Sequence, residues 1–394
     1  MTQPSKHSQM NPSEIRSYFQ ENIEAITDSI REIVEIESPS FSPEGIGSVA
    51  DWIEKRTTAA IPGASIERKF AESRGDHLII RAFSDKPGKP VLILGHTDTV
   101  HPFGSTLKNP TRIEDGKLFG CGTFDMKANI ALFIEVLGAM RKLGLEPARP
   151  LRIVLSCDEE VGSATGRPIL EAEARKSDYC FIFEPSANGK IKTGRKGTGM
   201  YRLKAKGVPA HAGLDPEKGA SAILELSKQI AALENLNDPS DGTTVTVGTI
   251  KGGTTTNVVP EFAECSIDVR FTSVEAGKRV ESALRSLEPS DKRVELELEG
   301  EINRPPLERT EAVAALFRKT VELASSFGYE IGETQVGGAS DGNFVGALGI
   351  PVLDGLGIRG DGAHRLDEHV VVEDIPDRAA LITLLLSNEM SSNA

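Results

Sequence analysis

The stretch VLILGHTDTV, residues 91–100, sets four apolar residues and a glycine directly before His96, Thr97 and Asp98. A short unbroken apolar run of this kind reads as a strand covered on both faces, as in a parallel sheet. The imidazole and the carboxylate then stand at the strand's carboxyl end. In open α/β sheets that is the edge where ligands bind.

Working outward, HLIIRAF (77–83), LRIVLSC (151–157) and DYCFIFE (178–184) read as further strands. Helical spacing appears in residues 13–37, through Ile15, Phe19, Ile23, Ile26, Ile30, Ile33 and Val34. It appears again in 125–144, with Ile130, Phe133, Ile134, Leu137 and Met140 on one face, and in 162–176. Strands alternating with helices predict an α/β domain whose mostly parallel sheet is sandwiched between helices.

Near residue 195 the rhythm changes. GMYRLKAKG (199–207), TTVTVGTIKGG (243–253), AECSIDVRFT (263–272) and RVELELEG (293–300) alternate as strands of an antiparallel sheet, with helices predicted over 219–235 and 275–287. From residue 303 helix and strand alternate again, through GIPVLDGLG and a last helix in 374–387. The organisation expected is a catalytic domain of residues 1–194 and 303–394, interrupted by an α+β domain of residues 195–302.

Composition narrows the function classes. The chain has 394 residues, with 45 basic against 58 acidic ones, a formal net charge of -13, which argues against nucleic-acid binding. No apolar run approaches the roughly 20 residues of a bilayer-spanning helix, and MTQPSKHSQMNPSEIRSYF lacks the apolar core of a secretion signal, so a cytoplasmic protein with no membrane partner is expected. Cys121, Cys157, Cys180 and Cys265 show no paired spacing, which predicts buried free thiols and no thiolate zinc site.

Chemistry gathers at the strand ends. VLILG runs into His96 and Asp98, RIVLSC into Asp158, Glu159 and Glu160, and CFIF into Glu184. Asp125 opens a helix, and His364 follows the late strand in GDGAH. Taken singly, Asp125 is a helix N-cap, Asp98 a loop carboxylate and the glutamate pair a solvated turn. Their joint arrival along one sheet edge is the signal: two imidazoles and several carboxylates without thiolate suit a catalytic zinc, manganese or cobalt site.

GHTDTV, GTFDMK, SCDEEVGS, FEPS, KGVPAHAG, GGASDGNF and GAH, in that order over nearly the whole chain, resemble the M20 family of dinuclear zinc peptidases and amidohydrolases, most of all its glutamate carboxypeptidases. The resemblance implies two Zn2+ per subunit, with Co2+ or Mn2+ as substitutes. It implies that His96, Asp125 and Glu184 hold one metal, that Asp125 bridges to a second held by Glu160 and His364, and that Glu159 is the general base. It also implies that the inserted domain is a lid and dimer interface, hence a homodimer. A base free of metal beside a metal-tied glutamate is sound acid–base logic, and Asp98 is placed to orient His96. The chain departs from the family where Ala128 and Asn129 replace two glycines and where Cys121 replaces an arginine.

For the substrate's terminal carboxylate the matching lid positions are Asn257 and Arg270. Strand alternation puts Arg270 on the polar face, where a salt bridge is its ordinary role. His211 matches a histidine that reaches the partner subunit's site to stabilise an oxyanion, and Lys190 is a candidate contact for an acidic side chain. The expected substrates are small N-acyl amino acids or peptides with a free C-terminal carboxylate. N-acyl amino acid deacylases of acetylornithine, succinyl-diaminopimelate or aminoacylase type are the alternative. A remote alternative is a serine hydrolase, because GASDG (338–342) fits a nucleophile elbow with Ser340 at its centre; it leaves His96, Asp125, Glu160 and Glu184 without a task.

Overall fold

The computed structural model describes residues 10–390, so the start of the polar N-terminal tail lies outside the described residues. The chain divides into two compact units. One comprises the residues up to Thr193, Arg309–Gln335 and those from Ser340 onward; the other comprises Gly194–Glu308 and Val336–Ala339.

In the first unit a six-stranded sheet runs in the order Ser65–Ala71, Gly75–Ala82, Leu151–Ser156, Val91–His96, Tyr179–Ile182, Val352–Leu353. Its last four strands are mutually parallel, with His96 in register with Ser156. All six residues of Val91–His96 are buried, as the apolar run requires. The strand at 75–82 is antiparallel to both its neighbours; toward Ser65–Ala71 this is forced, because only three residues link the two and so short a link permits only a hairpin.

The helices cover both faces more completely than their periodicity suggests. Ala128–Lys142 buries Ala131, Leu132, Val136 and Ala139 as well as the expected face, the pattern of a helix apolar all round and enclosed by others. Residues 13–37 are two helices, Pro12–Glu21 and Ile23–Val34, divided at Asn22, whose side-chain amide donates to Tyr18 O at 2.8 Å. A further helix, Pro43–Ala60, absent from the sequence expectation, starts at Ser42, whose hydroxyl accepts from Gly45 N, a normal N-cap. The helix expected over 162–176 shortens to Arg167–Ala174. The residues before it are taken up by Asp158, as described below.

The second unit is a four-stranded antiparallel sheet in the order Thr244–Gly252, Phe262–Phe271, Gly197–Lys206, Glu295–Arg304. Cys265, Ile267, Val269 and Phe271 lie on one face, buried in a core with Leu226 and Leu233 of helix Ala222–Leu233 and Val280 and Leu284 of helix Val274–Arg285. All four cysteines are free and buried. Among the described residues no helix is long and apolar enough to cross a membrane.

Candidate metal centre

The parallel strands deliver their carboxyl ends to one edge, and there the predicted ligands meet. His96 Nε2 lies 3.1 Å from Asp125 Oδ1 and 3.5 Å from Glu184 Oε1. His364 Nε2 lies 3.1 Å from Glu160 Oε2 and 3.5 Å from Asp125 Oδ2. The two oxygens of Asp125 thus face two different imidazoles, one at each end of a double cluster. Donor atoms sharing a tetrahedral zinc with bonds of about 2.0 to 2.2 Å stand roughly 3.3 to 3.6 Å apart, close to all four separations.

Glycine lets these elements approach. A Cβ on Gly95 would stand 2.8 Å from Met126 Cε and 3.1 Å from Leu155, so its absence allows the Asp125 loop to lie directly on the His96 strand. Asn129, in place of a family glycine, is buried and joins two loops: its Nδ2 donates to Phe124 O at 3.2 Å, and its Oδ1 accepts from Ile358 N at 2.9 Å.

The tautomer of His96 follows from its neighbour. Nδ1 lies 2.9 Å from the main-chain oxygen of Asp98; a carbonyl only accepts, so Nδ1 carries hydrogen and Nε2 turns its lone pair on the carboxylates. That arrangement demands a cation at Nε2, either a proton or a metal. Burial disfavours the imidazolium, yet the hydrogen bonds to Asp125, Asp98 and Glu184 raise the His96 pKa well above its ordinary value. His364 is pushed up to about 10 by Asp125 and Glu160. Asp125 is held well below the carboxylate range, as His364 and His96 outweigh its burial. Burial raises Glu160, and its Oε1 is buried with no hydrogen-bond partner. An orphaned carboxylate oxygen among nitrogen and oxygen donors fits a divalent metal, since such groups are rarely left unpaired.

Glu159 also joins the centre. One of its carboxylate oxygens falls within 4.8 Å of ligand atoms of His96 and Glu184, as a Glu160 oxygen does with His96 and Asp125. Asp98 faces both His96 and the turn that carries the glutamate pair. Its Oδ1 stands 3.4 Å from His96 Nδ1, and its carboxylate also accepts Glu159 N on Oδ1 and Glu160 N on Oδ2, both at 3.2 Å. Asp158 is turned away from the centre: it accepts from Thr165 N and Oγ1 at 2.7 and 2.8 Å and from Gly166 N at 3.2 Å.

Lys190 is exposed, beside a surface hollow lined by Asn188, Tyr329, Glu330, Arg359 and Asp374, none of them a cluster residue. Arg270 is held by Asp268 through two 2.8 Å hydrogen bonds, the salt bridge that is its ordinary role. Asn257 is exposed, and its Oδ1 accepts from Thr255 Oγ1 at 3.1 Å. His211 is exposed, and its Nδ1 accepts from Gly213 N and Leu214 N at 3.1 and 3.2 Å; Nε2 therefore bears the hydrogen and is a ready donor. Ser340 is buried, its hydroxyl donating to Asp354 Oδ2 at 2.6 Å, and only a five-residue helix follows it. With His364 bound to Glu160 and Asp125, the serine-histidine pairing of a nucleophile elbow is not formed.

One functional-looking residue escapes the sequence reading. Glu368, 0 % exposed, accepts from Gly122 N, Phe124 N and Asp125 N, each at 2.8 Å, and from His101 Nε2 at 2.7 Å. In the acidic run LDEHV nothing separates it from a surface glutamate. The only signal is its position four residues after His364.

A parallel-sheet edge bearing two imidazoles around a shared carboxylate defines a metal-dependent hydrolase. The sequence profile of peptidase family M20/M25/M40 matches residues 92–388, and the chain belongs to that family. It is 27% identical over 374 residues to carboxypeptidase G2 of Pseudomonas sp. (strain RS-16), covering 92% of this chain and 88% of that one. It is 30% identical over 330 residues to a succinyl-diaminopimelate desuccinylase of Xylella fastidiosa (strain M12), covering 78% and 85%. The fold matches aminopeptidase PepT of Bacillus cereus ATCC 10987 with a TM-score of 0.80 at 22% identity, covering 93% of this chain and 98% of that one. It matches the M20 family metallo-carboxypeptidase Sso-CP2 of Sulfolobus solfataricus with a TM-score of 0.70 at 15% identity, covering 92% and 98%.

Proposed function

We propose that the protein is a dinuclear zinc amidohydrolase of glutamate carboxypeptidase type, releasing an amino acid with a free α-carboxylate from an N-acyl amino acid or peptide. The observation that carries this is Asp125, with one oxygen toward His96 and the other toward His364. His96, Asp125 and Glu184 are assigned to one metal and Asp125, Glu160 and His364 to the other. Bound there, the metals would polarise the scissile carbonyl and lower the pKa of the attacking water. Glu159 takes the proton from that water and returns it to the leaving amine. Asp98 holds Glu159 and Glu160 by their amides and so fixes where base and ligand point.

The second unit is assigned the recognition tasks. Asn257 and Arg270 contact the substrate's carboxylate, Arg270 exchanging Asp268 for it. His211 offers its Nε2–H to the oxyanion in the site of the neighbouring copy of a homodimer. Similarity to carboxypeptidase G2 over nearly the full chain supports the carboxypeptidase reading. Similarity to the desuccinylases supports an N-acyl amino acid deacylase as the second reading, with the same chemistry at the metal edge.

The test is elemental analysis with a hydrolysis screen. Two metals per chain, activity lost to a chelator and restored by zinc, and cleavage of N-acyl glutamate or C-terminal glutamyl peptides are expected. Preference for N-succinyl or N-acetyl diamino acids would select the deacylase; active protein without metal would end both readings.

A further inference from the structure

Residues 120–127 satisfy only part of their own main chain, through Thr123 N to Gly120 O at 3.2 Å and Lys127 N to Gly122 O at 2.9 Å. Gly122 has φ +72°, Asp125 has φ −120° and ψ 92°, and Met126 has φ −135° and ψ 25°, so the regular helix begins only at Ala128. Buried amides outside regular structure need acceptors. Glu368 supplies them: Oε1 takes Phe124 N and Asp125 N, while Oε2 takes Gly122 N and His101 Nε2. A carboxylate has about four lone-pair sites, and all are used. The return contact, Gly120 N to Glu368 O at 3.2 Å, binds the two segments a second time.

The same short segment grips Asp125 twice. His364 reaches its side chain at Oδ2, and four residues later Glu368 reaches its main-chain amide. Gly362 and His364 both have positive φ, +86° and +66°, and a Cβ on Gly362 would stand 2.9 Å from Glu368 Cα. The backbone is folded tightly on itself to bring both grips to one residue.

We propose that Glu368, backed by His101, is the positioning residue that presets Asp125 between its two imidazoles; the proposal rests on the dinuclear assignment above. With the amide of Asp125 fixed, its carboxylate is presented in place before a metal arrives. Affinity and turnover then depend on a residue that touches neither metal nor substrate. His101 completes the set of four donors that face the Glu368 carboxylate.

Glu368→Gln tests this. The amide keeps the shape but turns an NH2 toward donors on one side, either Gly122 and His101 or Phe124 and Asp125. Co2+ is titrated into metal-free protein, following the d–d bands and competition with a chromophoric chelator, and kcat and KM are measured on the zinc-loaded enzyme. Lost partners of this kind cost about 10- to 100-fold in metal affinity or activity; weaker Co2+ binding, altered d–d bands and a fall in kcat at constant KM are expected. A wild type that binds no Co2+ removes the dinuclear assignment itself. A wild type that binds two ions, beside a variant with the same affinity, bands and kcat, overturns only the positioning role. If Glu368→Gln does not fold, His101→Phe decides, since it removes one donor and leaves three amides bound. A smaller loss of Co2+ affinity in the same direction supports the proposal, and unchanged affinity overturns it.

Discussion

Asp98→Asn separates the two tasks that a carboxylate beside His96 could perform. In the wild type both oxygens are used by the turn that carries the base, Oδ1 accepting Glu159 N and Oδ2 accepting Glu160 N, in a group with 0 % exposure. Asparagine keeps one acceptor and sets an NH2 against the other amide, so one charge-assisted hydrogen bond is lost where water cannot replace it. Such a bond contributes about 1.5 to 3 kcal/mol. If the loss falls wholly on placing Glu159 in the transition state, kcat drops by roughly 10- to 150-fold. KM should hold, since Asp98 does not touch the substrate. The assay is steady-state kinetics on the best substrate of the screen, with metal content measured on the same preparation. Wild-type kcat in a fully metallated, folded variant would refute the argument, and loss of metal in place of turnover would assign Asp98 to His96.

Glu159→Ala should keep both metals and the fold yet lose about 10²- to 10⁴-fold in turnover, the size of a lost general base; near-normal activity would mean another group takes the proton. His101 is buried, which lowers its pKa, but hydrogen bonds to Cys121 and Glu368 push it up to about 9. Its contribution to stability is therefore full below the ordinary value near 6.5 and lost as pH rises through about 9. The melting difference between wild type and His101→Phe should narrow across that window, and a constant difference would refute the protonated pair. If His211 serves a neighbouring copy, a mixed dimer of His211→Ala and Glu159→Ala chains retains one complete site and should recover about half of wild-type activity, given independent sites. A mixed dimer as inactive as its parents would sink that role.

The order of elements was legible because burial writes itself into sequence. Val91–Leu94 are apolar, as are Leu151 and Ile153–Leu155 around the half-buried Arg152, because both faces of their strands are covered, and the period of two in Phe262–Phe271 records a sheet with one face buried. Where the expectation misplaced a helix boundary, a local hydrogen bond had overridden the pattern. Asn22 divides an apolar stripe that continues on either side of it. Asp158 takes the amides of Thr165 and Gly166 and delays the following helix to Arg167. Neither event changes the spacing of apolar residues, which is all that periodicity reads.

The same distinction runs through the metal centre. His96, Asp125, Glu160, Glu184 and His364 could be singled out as candidate ligands because that task needs particular residue types gathered at one sheet edge. The groups that fix them act on main-chain amides, and every residue except proline offers one. Asp98 binds the amides of Glu159 and Glu160, and Glu368 those of Gly122, Phe124 and Asp125; nothing in the side chains at those five positions announces a carboxylate partner. An acceptor is thus invisible in sequence when its donors are backbone, however much depends on it. Asp98 was noticed only because it lies two residues from His96, and its hold on the amides of Glu159 and Glu160 left no mark in the sequence. Glu368, 243 residues from the amide of Asp125 that it holds, had no such neighbour to draw attention to it.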